Sequence, residues 1–161
     1  MPIELRSGLP VRVVIDTNTA LSGLIWNGPP SQIINAAQEE QIALFTSDVL
    51  LNELGGVLRR AKFARVLAQS NLTPDQLIEE YQKLVTRIDA PPLAEPAARD
   101  PDDDVVLACA LAAQAEAIVS GDADLLVLGN YQGIPILTAP ELLARLSSPA
   151  TPNVEGQERS R

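Results

Sequence analysis

The sequence alternates short apolar segments of strand length with helical segments, and this alternation constrains the fold more than any other feature. Four segments have the apolar, partly β-branched character of buried strands: 11–16 (VRVVID), 42–47 (IALFTS), 116–122 (EAIVSGD) and 133–138 (GIPILT). Strands that alternate with helices are typical of a mostly parallel sheet covered on both faces. The sequence therefore predicts an α/β fold.

Capping residues predict where several helices begin. Ser31 precedes a segment with an apolar stripe. Either Ser47 or Thr46 precedes a helix over 48–60, and Thr73 begins another. The hydroxyl groups of Ser and Thr accept hydrogen bonds from the free N–H groups of a first helical turn, so these positions are expected helix N-caps.

A chain of 161 residues is long enough for one domain with a substantial core. We place that domain at residues 11–146. Residues 147–161 show no apolar periodicity, and we expect a disordered tail there. Residues 1–10 lack the apolar core of a secretory signal, and the longest apolar run, 105–113, is too short to span a bilayer. These features predict a cytoplasmic protein with no membrane partner.

The chain contains no histidine, and Cys109 is its single cysteine. These counts exclude an internal disulfide, catalytic triads that use histidine, and most zinc sites. Cys109 lies inside an apolar helical segment, where we expect an inert buried thiol. Acid–base or metal chemistry must therefore use carboxylates and hydroxyls, and carboxylate ligands favour Mg²⁺ or Mn²⁺.

The formal net charge of −9 argues against a general nucleic-acid binder. The charges are unevenly distributed, however. The segment LRRAKFARV carries a cluster of cationic residues, Arg59, Arg60, Lys62 and Arg65. This cluster either holds the backbone of RNA or forms the solvated face of a helix, and the sequence leaves both interpretations open.

Two predicted strands end on an acidic residue, Asp16 in VRVVID and Asp122 in IVSGD. Ligands of open α/β sheets bind beyond the carboxyl ends of the strands, so both acids are candidate site residues. Each also has a structural interpretation, because Asp is common in turns and at helix N-caps. Glu53 lies beside the apolar face of its predicted helix. It is either a solvated edge residue or a buried carboxylate that needs a cation.

The segment RDPDDDVVLACAL combines an acidic cluster with an apolar helix. Asp100, followed by Pro101, has the pattern of an N-cap. Asp102 and Asp103 fall in the first turn, where the helix dipole favours anions. Asp104 heads a row of apolar residues, and we expect it to face inward. Because the helix is apolar on nearly every side, Asp103 is the alternative.

Four acids are therefore predicted to converge at one end of the sheet: Asp16, Glu53, Asp104 and Asp122. Such a group would repel itself unless cations lay between the carboxylates. One or two Mg²⁺ ions with water ligands match this set.

The segments VVIDTN, SDVLLNEL, RDPDDDVVLACAL and AIVSGDADLL follow one another in the order and spacing of PIN-domain ribonucleases. The sequence resembles this family over about residues 11–146, and it is most similar to bacterial toxin–antitoxin toxins of the VapC-like kind. The resemblance implies a three-layer α/β/α sandwich with a mostly parallel central sheet. It also implies metal-dependent hydrolysis of RNA phosphodiester bonds, in which a metal activates a water and stabilises charge on the phosphate.

The resemblance further implies roles for individual residues and partners. The catalytic metal ligands would be Asp16, Glu53, Asp104 and Asp122, holding one or two Mg²⁺ or Mn²⁺ ions. The supporting residues would be Thr17, Asn18, Ser120 and Asp124, with Asp103 in reserve for the third acid. The implied partners are an RNA substrate, a small antitoxin protein that inserts a basic residue among the acids, and a second copy in a homodimer.

Other functions compete with this interpretation. A phosphotransfer receiver needs a lysine near its last strand, and this chain has none after Lys83. An aspartyl phosphatase has a second Asp two residues after its nucleophile, where this chain has Asn18. A catalytically silent module would use the acids only to meet a basic partner. A housekeeping RNA-processing nuclease would share every motif with a toxin.

Overall fold

The computed structural model describes residues 9–147 and orders six strands into one sheet. The strands are β1 (Val11–Ile15), β2 (Ile42–Thr46), β3 (Thr86–Arg87), β4 (Ala117–Val119), β5 (Asn130–Tyr131) and β6 (Ile134–Leu137). The helices are α1 (Thr17–Ile25), α2 (Pro29–Gln38), α3 (Asp48–Leu58), α4 (Ala64–Gln69), α5 (Pro74–Leu84), α6 (Pro101–Ala113), α7 (Ala123–Leu126) and α8 (Ala139–Ser147). Ser147, the first residue of the predicted tail, ends α8, and the rest of that tail lies outside the described residues.

The strand order across the sheet is β3-β2-β1-β4-β6-β5. Every neighbouring pair is parallel except β5 and β6, which are antiparallel. This order confirms the predicted α/β fold with a mostly parallel sheet. The chain winds outward in one direction from β1 and in the other from β4, so a crevice opens at the carboxyl ends of these two strands.

The sheet separates two apolar cores, which confirms that helices cover both of its faces. Val13 and Val14 are adjacent in β1, and both are fully buried. Successive side chains of a strand point to opposite faces. Val13 accordingly packs in a core with residues of α2, α3, α5 and α8, whereas Val14 packs with residues of α6 and α7.

Two edge strands, β3 and β5, were not expected from the sequence. Each has only two residues, too few for a periodic apolar pattern. The sequence around β3 continues the helical pattern of α5, but that helix ends at Leu84 and Val85 is already extended. The next residues pair with the edge of β2, so tertiary pairing overrides the local pattern there.

The predicted helix caps are confirmed at two positions and wrong at a third. The Ser47 hydroxyl accepts a hydrogen bond from the backbone N–H of Leu50, and the Thr73 hydroxyl accepts one from that of Gln76. Ser31, in contrast, lies in the third position of α2, which begins at Pro29. Proline is favoured at a first helical position because it has no N–H to satisfy, so the helix begins earlier than expected.

The central helix α6 is almost completely covered. Cys109 lies on this helix with no solvent exposure, and burial raises the pKa of its thiol to about 12. The thiol is therefore protonated at neutral pH, as expected for an inert core residue. Within residues 9–147, no helix is long and apolar enough to cross a membrane.

Candidate metal and nucleic-acid site

The carboxyl ends of β1 and β4 bring Asp16 and Ser120 to the same edge of the sheet. The backbone N–H of Asp16 donates to the carbonyl of Val119 at 3.2 Å, and that of Ser120 donates to the carbonyl of Leu137 at 2.9 Å. Both residues therefore continue the parallel pairing by one step beyond their strands. Asp16 and Ser120 therefore lie at the mouth of the crevice between β1 and β4.

Asp16 is fixed by two hydrogen bonds. It caps α1, because its Oδ1 accepts from the backbone N–H of Thr19 at 2.9 Å. The Ser120 hydroxyl donates to Oδ2 of Asp16 at 2.5 Å and accepts from the backbone N–H of Asp122 at 2.9 Å. Asp16 and Ser120 are both buried. The serine thus ties the acid after β1 to the acid after β4.

Asp122 combines the two roles considered for it from the sequence. It is the N-cap of α7, because its Oδ1 accepts from the backbone N–H of Asp124 at 2.9 Å. It also lines the same cavity as Asp16. The capping bond occupies one carboxylate oxygen and orients the other.

Glu53 is half-buried on α3, and Thr17 at the start of α1 gives it a partner. The Thr17 hydroxyl donates to Oε1 of Glu53 at 2.6 Å. A buried carboxylate without a hydrogen bond is costly, and this contact offsets part of that cost. Glu53 and Thr17 both line the cavity that contains Asp16. The helix α3 therefore presents its acid to the crevice rather than to solvent.

Of the acids at the start of α6 that line the cavity, Asp103 is the one whose side chain is buried. It is buried, and the residues three and four positions later, Val106 and Leu107, are buried on the same side of the helix. Its Oδ2 has no hydrogen-bond partner among the described residues. An isolated buried carboxylate oxygen is unfavourable. Its presence in an acidic cavity favours a cation as the missing partner.

The expectation that Asp104 turns toward the other acids is not what the structure shows. Oδ1 of Asp104 accepts hydrogen bonds from the backbone N–H groups of Ala97 at 3.1 Å and Ala98 at 2.7 Å. These bonds turn its carboxylate toward the segment that precedes α6 and away from the cavity. The orientation could not be read from the apolar pattern, because the rows that follow Asp103 and Asp104 are both apolar.

The electrostatic surroundings of Asp103 differ from those of an ordinary surface acid. Burial is the main cause that raises the pKa of Asp103 to about 7, followed by the hydrogen bond that its protonated form can share with Asp122 and by the negative charges of Asp122, Asp100 and Asp16. All of these contributions disfavour the ionised form. Without a cation, the repulsion between the carboxylates therefore opposes full ionisation of Asp103 near neutral pH.

The acids form one cluster around a small cavity. The cavity has a volume of about 230 Å³. Its acidic lining residues are Asp16, Glu53, Asp100, Asp102, Asp103 and Asp122. One carboxylate oxygen from each of Asp103, Asp122 and Asp124 lies within 4.8 Å of the others. The sequence predicts only capping and dipole roles for Asp100 and Asp102, but both residues also line the cavity.

This donor set fits a hard divalent cation. Carboxylate and hydroxyl oxygens are the ligands of Mg²⁺ and Mn²⁺, and no softer ligand lies among the lining residues that the structure describes. Asp103 lines this cavity, and its buried Oδ2 has no hydrogen-bond partner among the described residues, so a bound cation would satisfy it. Asp16, Glu53, Asp103 and Asp122 are the residues that could hold such an ion.

The four residues of the predicted basic cluster have different environments in the structure. Arg60 and Asn18 both line the acidic cavity. Arg59 instead makes an exposed ion pair with Asp75. Lys62 lies over the ring of Phe63, with 5.2 Å from its Nζ to the ring centroid. Arg65 is exposed. Among these four, Arg60 is the cation that the structure brings to the acids.

Two comparisons with known proteins agree with this geometry. The family profile described as a PIN domain matches residues 12–124, which include every acid of the cluster. The uncharacterized protein MJ1680 of Methanocaldococcus jannaschii is 31% identical over 127 residues, which cover 78% of this chain and 80% of that protein. The chain therefore belongs to the PIN domain family, whose members are in general metal-dependent nucleases.

Proposed function

We propose that this protein is an endoribonuclease that hydrolyses RNA phosphodiester bonds with Mg²⁺ or Mn²⁺. The observation that carries the proposal is the convergence of Asp16, Glu53, Asp103 and Asp122 on one cavity. The unpartnered oxygen of Asp103 supports a bound cation there. RNA rather than DNA is proposed because the acidic motifs of the sequence resemble those of PIN-domain ribonucleases.

We assign the metal to Asp16, Glu53, Asp103 and Asp122, with Asp124 beside them. Asp104 is not proposed as a ligand, because its carboxylate is bonded to backbone N–H groups outside the cavity. A divalent ion held here would activate a water and neutralise charge that develops on the phosphate.

The chain's own groups prepare the cavity for that chemistry. Ser120 holds the Asp16 carboxylate, and Thr17 holds that of Glu53, so two acids are oriented before any ion binds. Such supporting hydrogen bonds fix the direction and basicity of ligand oxygens. Arg60 lines the cavity and would bind a phosphate oxygen of the substrate, which would offset the repulsion between RNA and the acidic rim.

The direct test is cleavage of a single-stranded RNA and of single-stranded DNA with the same sequence. We expect the wild-type protein to cut the RNA in Mg²⁺ or Mn²⁺ and to lose activity in excess chelator. Asp16→Asn should abolish cleavage because the amide weakens metal binding, whereas Ser47→Ala, which removes a helix cap outside the acidic cavity, should not. Cleavage that persists in chelator, or in Asp16→Asn at the wild-type rate, would contradict the proposal.

We further propose that the nuclease acts as the toxin of a toxin–antitoxin pair. The similarity to VapC-like toxins supports this role, as does an acidic cavity that would attract a basic side chain of an inhibitor. Induced expression should arrest growth, and co-expression of a small protein encoded beside it should restore growth. Normal growth at a high level of active enzyme would favour a housekeeping RNA-processing role.

We also propose that the protein forms a homodimer. Light scattering after size-exclusion chromatography would test this oligomeric state.

A further inference from the structure

A second depression adjoins the acidic cavity and differs from it in character. This groove has a volume of about 600 Å³. It shares Asn18 and Asp122 with the acidic cavity, so the two are continuous at one end of the sheet. Its walls are the exposed side of α1, the loop after β4, and the first turns of α2 and α8. A nucleic-acid strand whose phosphate lies among the acids can therefore continue into this groove on one side.

The first turns of α2 and α8 are poorly suited to bind a phosphate. Helix N-termini usually attract anions through free N–H groups. Here Pro29, Pro30 and Pro140 have no N–H. The backbone N–H of Gly28 donates to the Ser31 hydroxyl at 3.1 Å, and that of Thr138 donates to the Glu141 carboxylate at 2.8 Å.

The charges around the groove lead to the same conclusion. No cationic side chain lies among its described lining residues, and Asp122 contributes a negative charge where the groove meets the cavity. Arg60 lies in the acidic cavity and is absent from the groove. A phosphate in the groove would be repelled, whereas a neutral group would not be.

The groove instead offers uncharged polar groups between apolar walls. The amide of Asn18 is exposed and can both donate and accept hydrogen bonds. Ser22 adds a hydroxyl, and the proline rings add flat apolar surface. A small set of polar groups within an apolar depression is typical of sites that bind a small organic moiety.

We infer that this groove is a nucleoside subsite, which holds the base and ribose next to the phosphate that is cut. This inference rests on the proposed ribonuclease function. The substrate strand would cross the acids with its phosphate near Arg60 and would place one neutral nucleoside against Asn18 and Ser22.

Gly121 provides a way to close the groove without disturbing the acids. A Cβ built at Gly121 meets no atom within 4 Å, so a larger side chain there extends into open space. Ser22 also lines the groove, from α1. Gly121→Leu and Ser22→Leu therefore each add a large apolar side chain at a different lining residue of the groove. Asn35→Leu is the matched control, because Asn35 is exposed on α2 and does not line the groove.

The experiment compares these variants on an RNA whose cut position has first been mapped with the wild type. A second substrate carries an abasic nucleotide on one side of that position, and a third carries one on the other side. We expect one abasic substrate to have a KM about 10-fold higher or more with the wild type and with Asn35→Leu. Gly121→Leu and Ser22→Leu should have that raised KM already on intact RNA. In each of these variants, the KM for the abasic substrate should equal the KM for intact RNA. Their affinity for Mn²⁺ should match the wild type.

Equal KM values for all variants on intact RNA, or an abasic penalty that persists in both leucine variants, would overturn the subsite. Unchanged RNA cleavage with lost binding of a partner protein would assign the groove to that protein instead. If the wild type cuts no RNA, the proposed function fails separately. Binding of the uncut RNA to the same variants, measured by fluorescence anisotropy, then still decides whether the groove takes a nucleoside.

Discussion

Asp103 and Asp104 are consecutive residues of one helix, and their carboxylates lie in opposite surroundings. Asp103 is buried in a cavity of acids, where one of its oxygens has no hydrogen-bond partner among the described residues. Oδ1 of Asp104 accepts two backbone N–H groups of the segment before the helix. One residue is therefore suited to bind a cation, and its neighbour is suited to hold a loop.

The first prediction concerns the stability of the metal-free protein. The pKa of Asp103 is raised from its ordinary value of 3.8 to about 7. Between these values the folded state keeps a proton that the unfolded chain has released, so this residue's contribution to stability falls as pH rises through that range. Asp103→Asn should therefore stabilise the metal-free protein at pH 8, by on the order of 1–3 kcal/mol, and much less at pH 4.

The measurement is chemical denaturation in chelator at both pH values. Asp104→Asn is the control, because it changes the adjacent acid and should keep the pH dependence of the wild type. A wild-type and an Asp103→Asn protein that lose stability equally between pH 4 and pH 8 would show that Asp103 titrates as an ordinary acid.

The second prediction concerns Ser120, which connects the two strand-end acids. Ser120→Ala removes the donor to Asp16 and the acceptor for the Asp122 N–H. We expect a loss of about 1–3 kcal/mol in unfolding free energy, because buried polar groups lose their partner. We also expect Mn²⁺ affinity to fall about 10-fold or more, as is usual when a ligand loses its supporting hydrogen bond.

Ser47→Ala separates these two effects. Ser47 is equally buried but caps α3, and its loss should cost about 1 kcal/mol with no change in Mn²⁺ affinity. Calorimetric titration of both variants with Mn²⁺ would decide the matter, and equal affinities would show that Ser120 is structural only.

Much of the fold was predictable, because its determinants are local. β1 and β2 are mostly apolar segments of five residues, and the crevice follows from parallel strands with an acid after two of them. Which of the acids at the start of α6 points into the cavity was not predictable in the same way. That helix is covered on nearly every side, so apolar spacing carries no information about its rotation. The partners of Asp104, the backbone N–H groups of Ala97 and Ala98, lie in a segment without periodicity, so the sequence did not reveal them.

The third prediction concerns the hydrogen bond between Thr17 and Glu53. Thr17→Val keeps the shape of the side chain but removes the donor at 2.6 Å from Oε1 of Glu53. We expect kcat for RNA cleavage at subsaturating Mg²⁺ to fall about 10-fold, and high Mg²⁺ to restore part of it. Thr17→Ser, which keeps the hydroxyl, should remain close to the wild type. The prediction fails if the valine and serine variants have the same Mg²⁺ dependence.

The fourth prediction distinguishes Arg60 from its neighbour Arg59. Arg60 lines the acidic cavity, whereas Arg59 is engaged with Asp75 at the surface. Arg60→Ala should raise KM for RNA and reduce the slope of log affinity against log salt by about one, as expected for the loss of one phosphate contact. Arg59→Ala should have a smaller effect on both quantities. Indistinguishable salt slopes for the two variants would contradict a specific role of Arg60.

The rate of RNA cleavage in saturating Mg²⁺, compared between Asp103→Asn, Asp104→Asn and the wild type, is the most direct test of whether Asp103 rather than Asp104 holds the metal. Asparagine at position 104 keeps the side-chain oxygen that accepts from both backbone N–H groups, so this variant should cut RNA at a rate near that of the wild type. Asparagine at position 103 removes the charge that the cavity offers to the ion, and cleavage should fall at least about 100-fold. Full activity in Asp103→Asn together with loss of activity in Asp104→Asn would show that Asp104, and not Asp103, serves the catalytic site.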